Sequence, residues 1–155
     1  VLELITDLDR LNDEQYAALQ EMYDGLNEVE DQICQQMNNG YYTGASTFGE
    51  WYQNRIQNGD DTTVVLNKVG EVYVGFATYT YYPDDRDVGL SMVYVKPAHR
   101  RQSYAKELLD YVMTQVKLLD AKGIYLTVLS PNIAAKTLYV QYGFTPAIEM
   151  HQRKL

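Results

Sequence analysis

From Thr62 to Pro83 the chain reads TTVVLNKVGEVYVGFATYTYYP, rich in β-branched and aromatic residues and broken only at Val69-Gly70-Glu71. Such a stretch fits a pleated surface and predicts two antiparallel strands joined by a tight turn. Upstream the period is helical. Tyr16, Leu19, Met22, Tyr23 and Leu26 recur at spacings of three and four, predicting a helix over Asp13–Asn27 that Gly25 loosens. A second helical stretch is expected over Glu28–Met37, then a loop at YYTGAST (Tyr41–Thr47), then a short helix closed by Asn58-Gly59. LELIT (Leu2–Thr6) alternates as a short first strand.

Downstream, DVGLSMVYVKP is a strand stopped by Pro97. Ala105, Leu108, Leu109, Val112, Met113, Val116 and Leu119 form one apolar stripe, predicting a long helix with Gly123 as its C-terminal cap. IYLTVL reads as a buried strand. Ala135, Leu138, Tyr139 and Tyr142 mark another helix, and Phe144–Lys154 is expected to hold one strand or two short ones. The order predicts an α/β domain with a single mixed sheet, flanking helices and a strand–helix–strand unit in its second half. One domain over 1–155 is the simplest division for a chain of this length.

Charge narrows the partners. Residues 1–61 carry thirteen acidic and two basic side chains; residues 62–155 carry eight acidic and eleven basic ones. An acidic chain without a broad basic surface argues against nucleic acid. The acidic part is either a solvated face kept for solubility or a surface for a cationic partner. No run of about 18 apolar residues suits a membrane span. No signal-peptide pattern opens the sequence, and Cys34 has no second cysteine to pair with, so the expected location is cytoplasmic. His99 and His151 show no ligand spacing, and no metal is expected.

The most specific stretch is VKPAHRRQSYAKELL, Val95–Leu109, where His99, Arg100 and Arg101 gather between a strand and a helix. A helix start carries positive potential and unpaired N–H groups, so added arginines point to an anion, a phosphate above all. Arg100, Ser103 and Ala105 form R-x-x-S-x-A, which resembles the acyl-CoA pyrophosphate loop of the GCN5-related N-acetyltransferases, usually Arg or Gln, two residues, Gly, one residue, then Gly or Ala. Ser103 replaces the first glycine. If that position needs φ > 0, Ser is worse than Gly there; if it is an ordinary helix start, Ser is comfortable and caps it. LTVLSPNIAAKTLYVQYGF carries a second resemblance, with Asn132, Ala135, Leu138, Tyr139 and Gly143-Phe144 at the spacing of that family's other segment.

The resemblance implies the acyl-CoA N-acyltransferase fold, a mostly antiparallel twisted sheet whose strands splay to admit pantetheine. It implies acetyl-CoA as cosubstrate and a primary amine, small-molecule or peptide, as acceptor, and homodimers are frequent among such proteins. Carried over by position, the cofactor side comprises Val93, Tyr94 and Val95 on the strand, Arg100, Arg101, Gln102, Ser103, Tyr104 and Ala105 in the loop, and Asn132 and Ala135 beyond. A backbone N–H around Met92–Tyr94 would meet the thioester carbonyl, and Tyr139 would protonate the leaving thiolate; its other role is packing on the helix stripe.

The strand glutamate that serves many members as base is missing from LSMVYV, where Ser91 sits near the usual place. Glu50, Asp85, Asp87 or a water chain remain open as bases. His99 lies on the phosphate side and reads as a loop residue. Tyr79, Tyr81 and Tyr82 either wall the acceptor mouth or fill a two-faced strand. The alternative function is a non-catalytic acyl-CoA-binding regulatory module; a nucleotide site is disfavoured because no GK[ST] or Rossmann glycine triplet occurs.

Overall fold

The computed structural model describes residues 1–37 and 46–153. Most of the expected YYTGAST loop and the last expected strand residue, Lys154, lie outside the described residues. The chain divides into two compact units, residues 1–26 with 46–126, and residues 27–45 with 127–155.

The first unit holds a five-stranded sheet in the order β1 (Leu2–Ile5), β2 (Asp61–Val69), β3 (Val72–Tyr82), β4 (Asp87–Val95), β5 (Gly123–Tyr125). The first three pairings are antiparallel and β4–β5 is parallel. The β2–β3 hairpin turns at Gly70-Glu71, with Gly70 at φ 60°, a value glycine adopts without strain. A mixed, mostly antiparallel sheet with helices around it is the fold the sequence predicts.

Helix α1 (Asp13–Gln35) runs without a break where two helical stretches are expected. Asn12 and Gln15 cap its start reciprocally, each side-chain oxygen taking the other's backbone N–H at 2.8 and 3.1 Å. Gly25 does not end the helix because its missing side chain is used: a Cβ there would strike the Tyr94 hydroxyl and lie 2.9 Å from Cζ. Helix α2 (Phe48–Asn58) starts in a Thr47/Glu50 capping box and stops at Gly59, φ 60°, as Asn58-Gly59 predicts. Tyr16 and Tyr23 of α1 lock onto Phe48 and Tyr52 of α2 through edge contacts with centroids 5.2–5.5 Å apart.

Helix α3 (Tyr104–Val116) buries Leu108, Leu109, Val112 and Val116 of the predicted stripe, packs on β2, β3 and β4, and ends before Leu119. Successive strand residues face opposite ways. Gly75 of β3 therefore faces Leu108 of α3, whereas Phe76 faces away and its register partner Tyr94 meets α1 at Gly25. The same alternation puts Tyr79 on the α3 face with Tyr81, whose hydroxyl donates to the Asp120 carbonyl at 3.2 Å, and Tyr82 on the other. The three tyrosines form no single wall.

Three expectations need correction. Gly123 does not cap α3, which ends at Lys117; it opens β5, opposite Asp87. IYLTVL is neither long nor buried as a strand, since the ladder ends at Tyr125 and that residue is 51% exposed. Residues 144–153 form no strand: Pro146 interrupts the segment, and Ile148 and Met150 stand exposed with no ladder partner among the described residues.

The described part of the second unit contains the C-terminal turns of α1 and helix α4 (Ile133–Gln141), followed by Gly143 at φ 84°. No helix among the described residues is long and apolar enough to cross a membrane.

Candidate active site

The first cluster begins inside β4. Pairing with β3 steps from Thr78↔Met92 to Tyr79↔Leu90, which leaves Ser91 as the extra residue of a bulge. A bulge takes one residue out of the ladder and twists the strand locally, re-aiming the backbone beside it. Beyond it Val93, Tyr94 and Val95 rejoin β3 opposite Ala77, Phe76 and Gly75. Ser91 itself is exposed and has no acid–base chemistry suited to an ammonium.

After Val95 the chain is pinned and then turned sharply. The Lys96 N–H bonds to the Val74 carbonyl at 2.9 Å, and the Lys96 ammonium pairs with Glu21 of α1 at 3.1 Å. Pro97–His99 makes one 3-10 turn. Arg100 folds back: Nε donates to the Val95 carbonyl at 3.0 Å, and the guanidinium lies 5.8 Å from the centre of the Tyr94 ring. Arg101, by contrast, has no ion-pair partner among the described residues and is exposed.

Arg101 and Ser103 both take positive φ, 61° and 66°. This decides between the two readings of Ser103: the position is left-handed, and the serine side chain makes no capping bond to α3. Ser103 therefore holds, with a Cβ attached, a conformation that glycine adopts without strain. Left-handed residues placed between ordinary ones turn successive N–H groups toward one concavity, an anion-binding arrangement. The first turn of α3, with Tyr104 and Ala105 half-buried, adds N–H groups that have no intrahelical acceptor. Loop and helix start together suit a pyrophosphate.

The second cluster lies in the second unit. Asn132 caps α4, its Oδ1 accepting the Ala135 N–H at 3.1 Å. Tyr139, one helical turn beyond Ala135, packs edge-on against Phe144 with centroids 6.0 Å apart, and its carbonyl accepts the Phe144 N–H at 3.2 Å. Burial, and then the nearby Glu30 carboxylate, push the Tyr139 phenol up from its ordinary value. A phenol so shifted stays protonated at neutral pH and donates a hydrogen bond.

Glu30 escaped the sequence reading. It belongs to α1, and burial, then Asp31, raise its carboxyl above the usual range. Its spacing of four and seven residues from Leu26 and Tyr23, on a helix that continues past Gly25, is the signal for its half-buried place. The bases considered from sequence are placed otherwise: Glu50 is occupied by the Thr47 N–H at 3.1 Å, Asp85 is exposed in the β3–β4 turn, and Asp87 opens β4 beside Gly123. Among the described residues no group of three or more His, Cys, Asp and Glu side chains is gathered to hold a metal ion.

No curated protein matches the sequence. Solved structures share the fold over the whole chain at low identity. A tetramutant of the BH1408 protein from Bacillus halodurans superposes with a TM-score of 0.74 at 14% identity, covering 100% of this chain and 99% of that one. The aminoglycoside N-acetyltransferase AAC(6')-Iy, solved in complex with CoA, gives 0.63 at 13% identity and covers 100% of both chains. A ribosomal-protein-alanine N-acetyltransferase from Brucella melitensis biovar Abortus 2308 gives 0.64 at 14%, covering 100% of this chain and 98% of that one. The model of the Acetyltransferase (GNAT) family matches residues 26–144, from the middle of α1 through the bulged strand and the Arg-rich loop to Phe144. The chain is a member of the GNAT acetyltransferase family.

Proposed function

We propose that the protein transfers an acetyl group from acetyl-CoA to a primary amine. One observation carries the reading: the bulge at Ser91 runs directly into a loop with left-handed Arg101 and Ser103 and an uncapped helix start. The N–H groups from Gln102 to Ala105, with the uncommitted Arg101, hold the pyrophosphate. Arg100 keeps the loop against the end of β4. Acetyl-CoA supplies an activated thioester when bound.

Backbone N–H groups beside the bulge, at Met92–Tyr94, polarise the thioester carbonyl. The neutral amine nitrogen bonds to the acetyl carbon, the C–S bond breaks, and the amine's proton passes to a base. By its match to the family's second segment, Tyr139 is the residue assigned to give its phenolic proton to the departing thiolate.

The acceptor is a cationic amine, small-molecule or peptide. Residues 1–61 carry the acidic excess, and a field of that sign concentrates cations. The aminoglycoside and ribosomal-protein acetyltransferases among the structural neighbours are enzymes named for amine acceptors, which agrees with this class. Incubation with acetyl-CoA and a panel of polyamines, aminoglycosides, amino acids and peptides tests the proposal. Free thiol released with a cationic acceptor supports it. Acetyl-CoA binding without release on any acceptor would leave a regulatory acyl-CoA-binding module in its place.

A further inference from the structure

Asn67 is a fully buried amide in β2, next to Val64, Val65 and Leu66, all equally buried. Its register partner is Gly75, and a Cβ at Gly75 would lie 2.7 Å from the Tyr94 carbonyl and 3.2 Å from both Leu108 Cδ1 and Val95 Cγ2. The end of β4 and the start of α3 thus close over the Asn67–Gly75 pair. Asn67 Nδ2 donates to Glu107 Oε2 at 3.0 Å, while Oδ1 has no partner among the described residues. An ionised carboxylate only accepts, so the amide must turn its NH2 to Glu107 and leave its own oxygen unpaired. A leucine would fill the same space with no orphaned acceptor. The bond to Glu107 is what the amide adds.

Glu107 is the carboxylate of the first turn of α3, and its N–H bonds to the Ser103 carbonyl at 3.0 Å. Its charge stands one helical turn from the loop that takes the phosphates. We propose that Asn67 is a positioning residue for acetyl-CoA: it holds the Glu107 carboxylate down against β2, fixing the first turn of α3 and keeping a negative charge away from the phosphate-binding N–H groups. This rests on the loop being the acetyl-CoA site. Without Asn67 the exposed carboxylate swings free beside the anion and repels it.

The test is calorimetric titration with CoA of the wild type, Asn67→Ala, Glu107→Gln and the double variant, at low salt and at ~0.5 M salt. Asn67→Ala should weaken binding about five- to tenfold at low salt and less at high salt, with kcat at saturating acetyl-CoA within about twofold. Glu107→Gln in the same chain should restore affinity to within about twofold of wild type, because the liberated group no longer carries charge. Asn67→Ser, a milder truncation that is too short to reach Glu107, carries the same expectation if the alanine variant does not fold. A loss that neither salt nor Glu107→Gln relieves, or no loss at all, overturns the proposal. A wild type that binds no CoA overturns the loop reading and this proposal with it; binding by wild type and Asn67→Ala alike overturns this one alone.

Discussion

Ser103→Gly should stabilise the protein, which is uncommon for a glycine placed at a helix start. Ser103 sits at φ 66°, ψ 10°, and its hydroxyl makes no capping bond. A residue with a Cβ held in the left-handed region costs roughly 1–2 kcal/mol relative to its preferred conformations. Glycine removes that strain but adds about 0.4–1 kcal/mol of unfolded-chain entropy. The balance is a gain of about 0.5–1 kcal/mol, equal to a rise in Tm of roughly 1–4 °C for a chain of this size. Ser103→Ala separates the two possible roles of the serine. A capping serine would cost about 1 kcal/mol when truncated to alanine. With no cap bond to lose, alanine should fall within about 0.5 kcal/mol of wild type. Urea unfolding of the three proteins, followed by circular dichroism, reads both differences, and acetyl-CoA affinity in Ser103→Gly should equal or exceed wild type. A glycine variant less stable than wild type, or an alanine variant weaker by 1 kcal/mol or more, refutes the left-handed assignment.

Tyr139→Phe keeps the contact with Phe144 and removes the hydroxyl; turnover should fall about 10²-fold or more while acetyl-CoA affinity holds, measured by thiol release and titration. Burial, and then Asp31, raise the Glu30 carboxyl, so its share of the fold's stability should be greatest below the unfolded value of ~4.3 and lost as pH rises through the raised one, which urea titrations at several pH values measure. Arg100→Ala should weaken acetyl-CoA binding by about 1–3 kcal/mol, through the bond to the Val95 carbonyl as well as lost charge, with residual binding from the loop N–H groups. With a cationic acceptor, kcat/KM should fall several-fold between low salt and ~0.5 M salt; salt-independent kinetics would detach the acidic residues from substrate choice.

The strands from Thr62 to Val95 were legible because they are long, rich in β-branched residues and punctuated by Gly70 and Pro97. Helix α3 was legible because its stripe faces a sheet. What failed was governed by tertiary contact. Gly25 looks like a helix breaker until Tyr94 is seen to fill the space against it. Gly123 follows the apolar stripe that ends at Leu119, yet the helix stops earlier and Gly123 serves a strand, with Asp87 of β4 opposite. IYLTVL and Phe144–Lys154 have strand composition, but composition does not supply a partner edge.

At the candidate site, the loop between β4 and α3 could be placed from Pro97, Arg100, Ser103 and Ala105 alone, since the strand stop and helix start bracket it. Its backbone conformation could not, because serine is compatible with both a cap and a left-handed turn. The bulge at Ser91 was likewise hidden, for pairing register depends on the neighbouring strand. Glu30 was missed because its environment is set by how far α1 continues, which Gly25 obscured. Arg100 and Arg101 look alike in sequence; only the fold shows one committed to Val95 and the other uncommitted.

The loop between Val95 and Ala105 as the acetyl-CoA site is tested most directly by titrating acetyl-CoA into the wild type and Ser103→Glu. Ser103 is exposed, so glutamate is accommodated without disturbing the core, while its carboxylate stands where the phosphates would lie. The wild type should bind and the variant should show no measurable binding at the same concentrations, with its unfolding transition retained. Equal affinity in the two proteins would contradict the assignment.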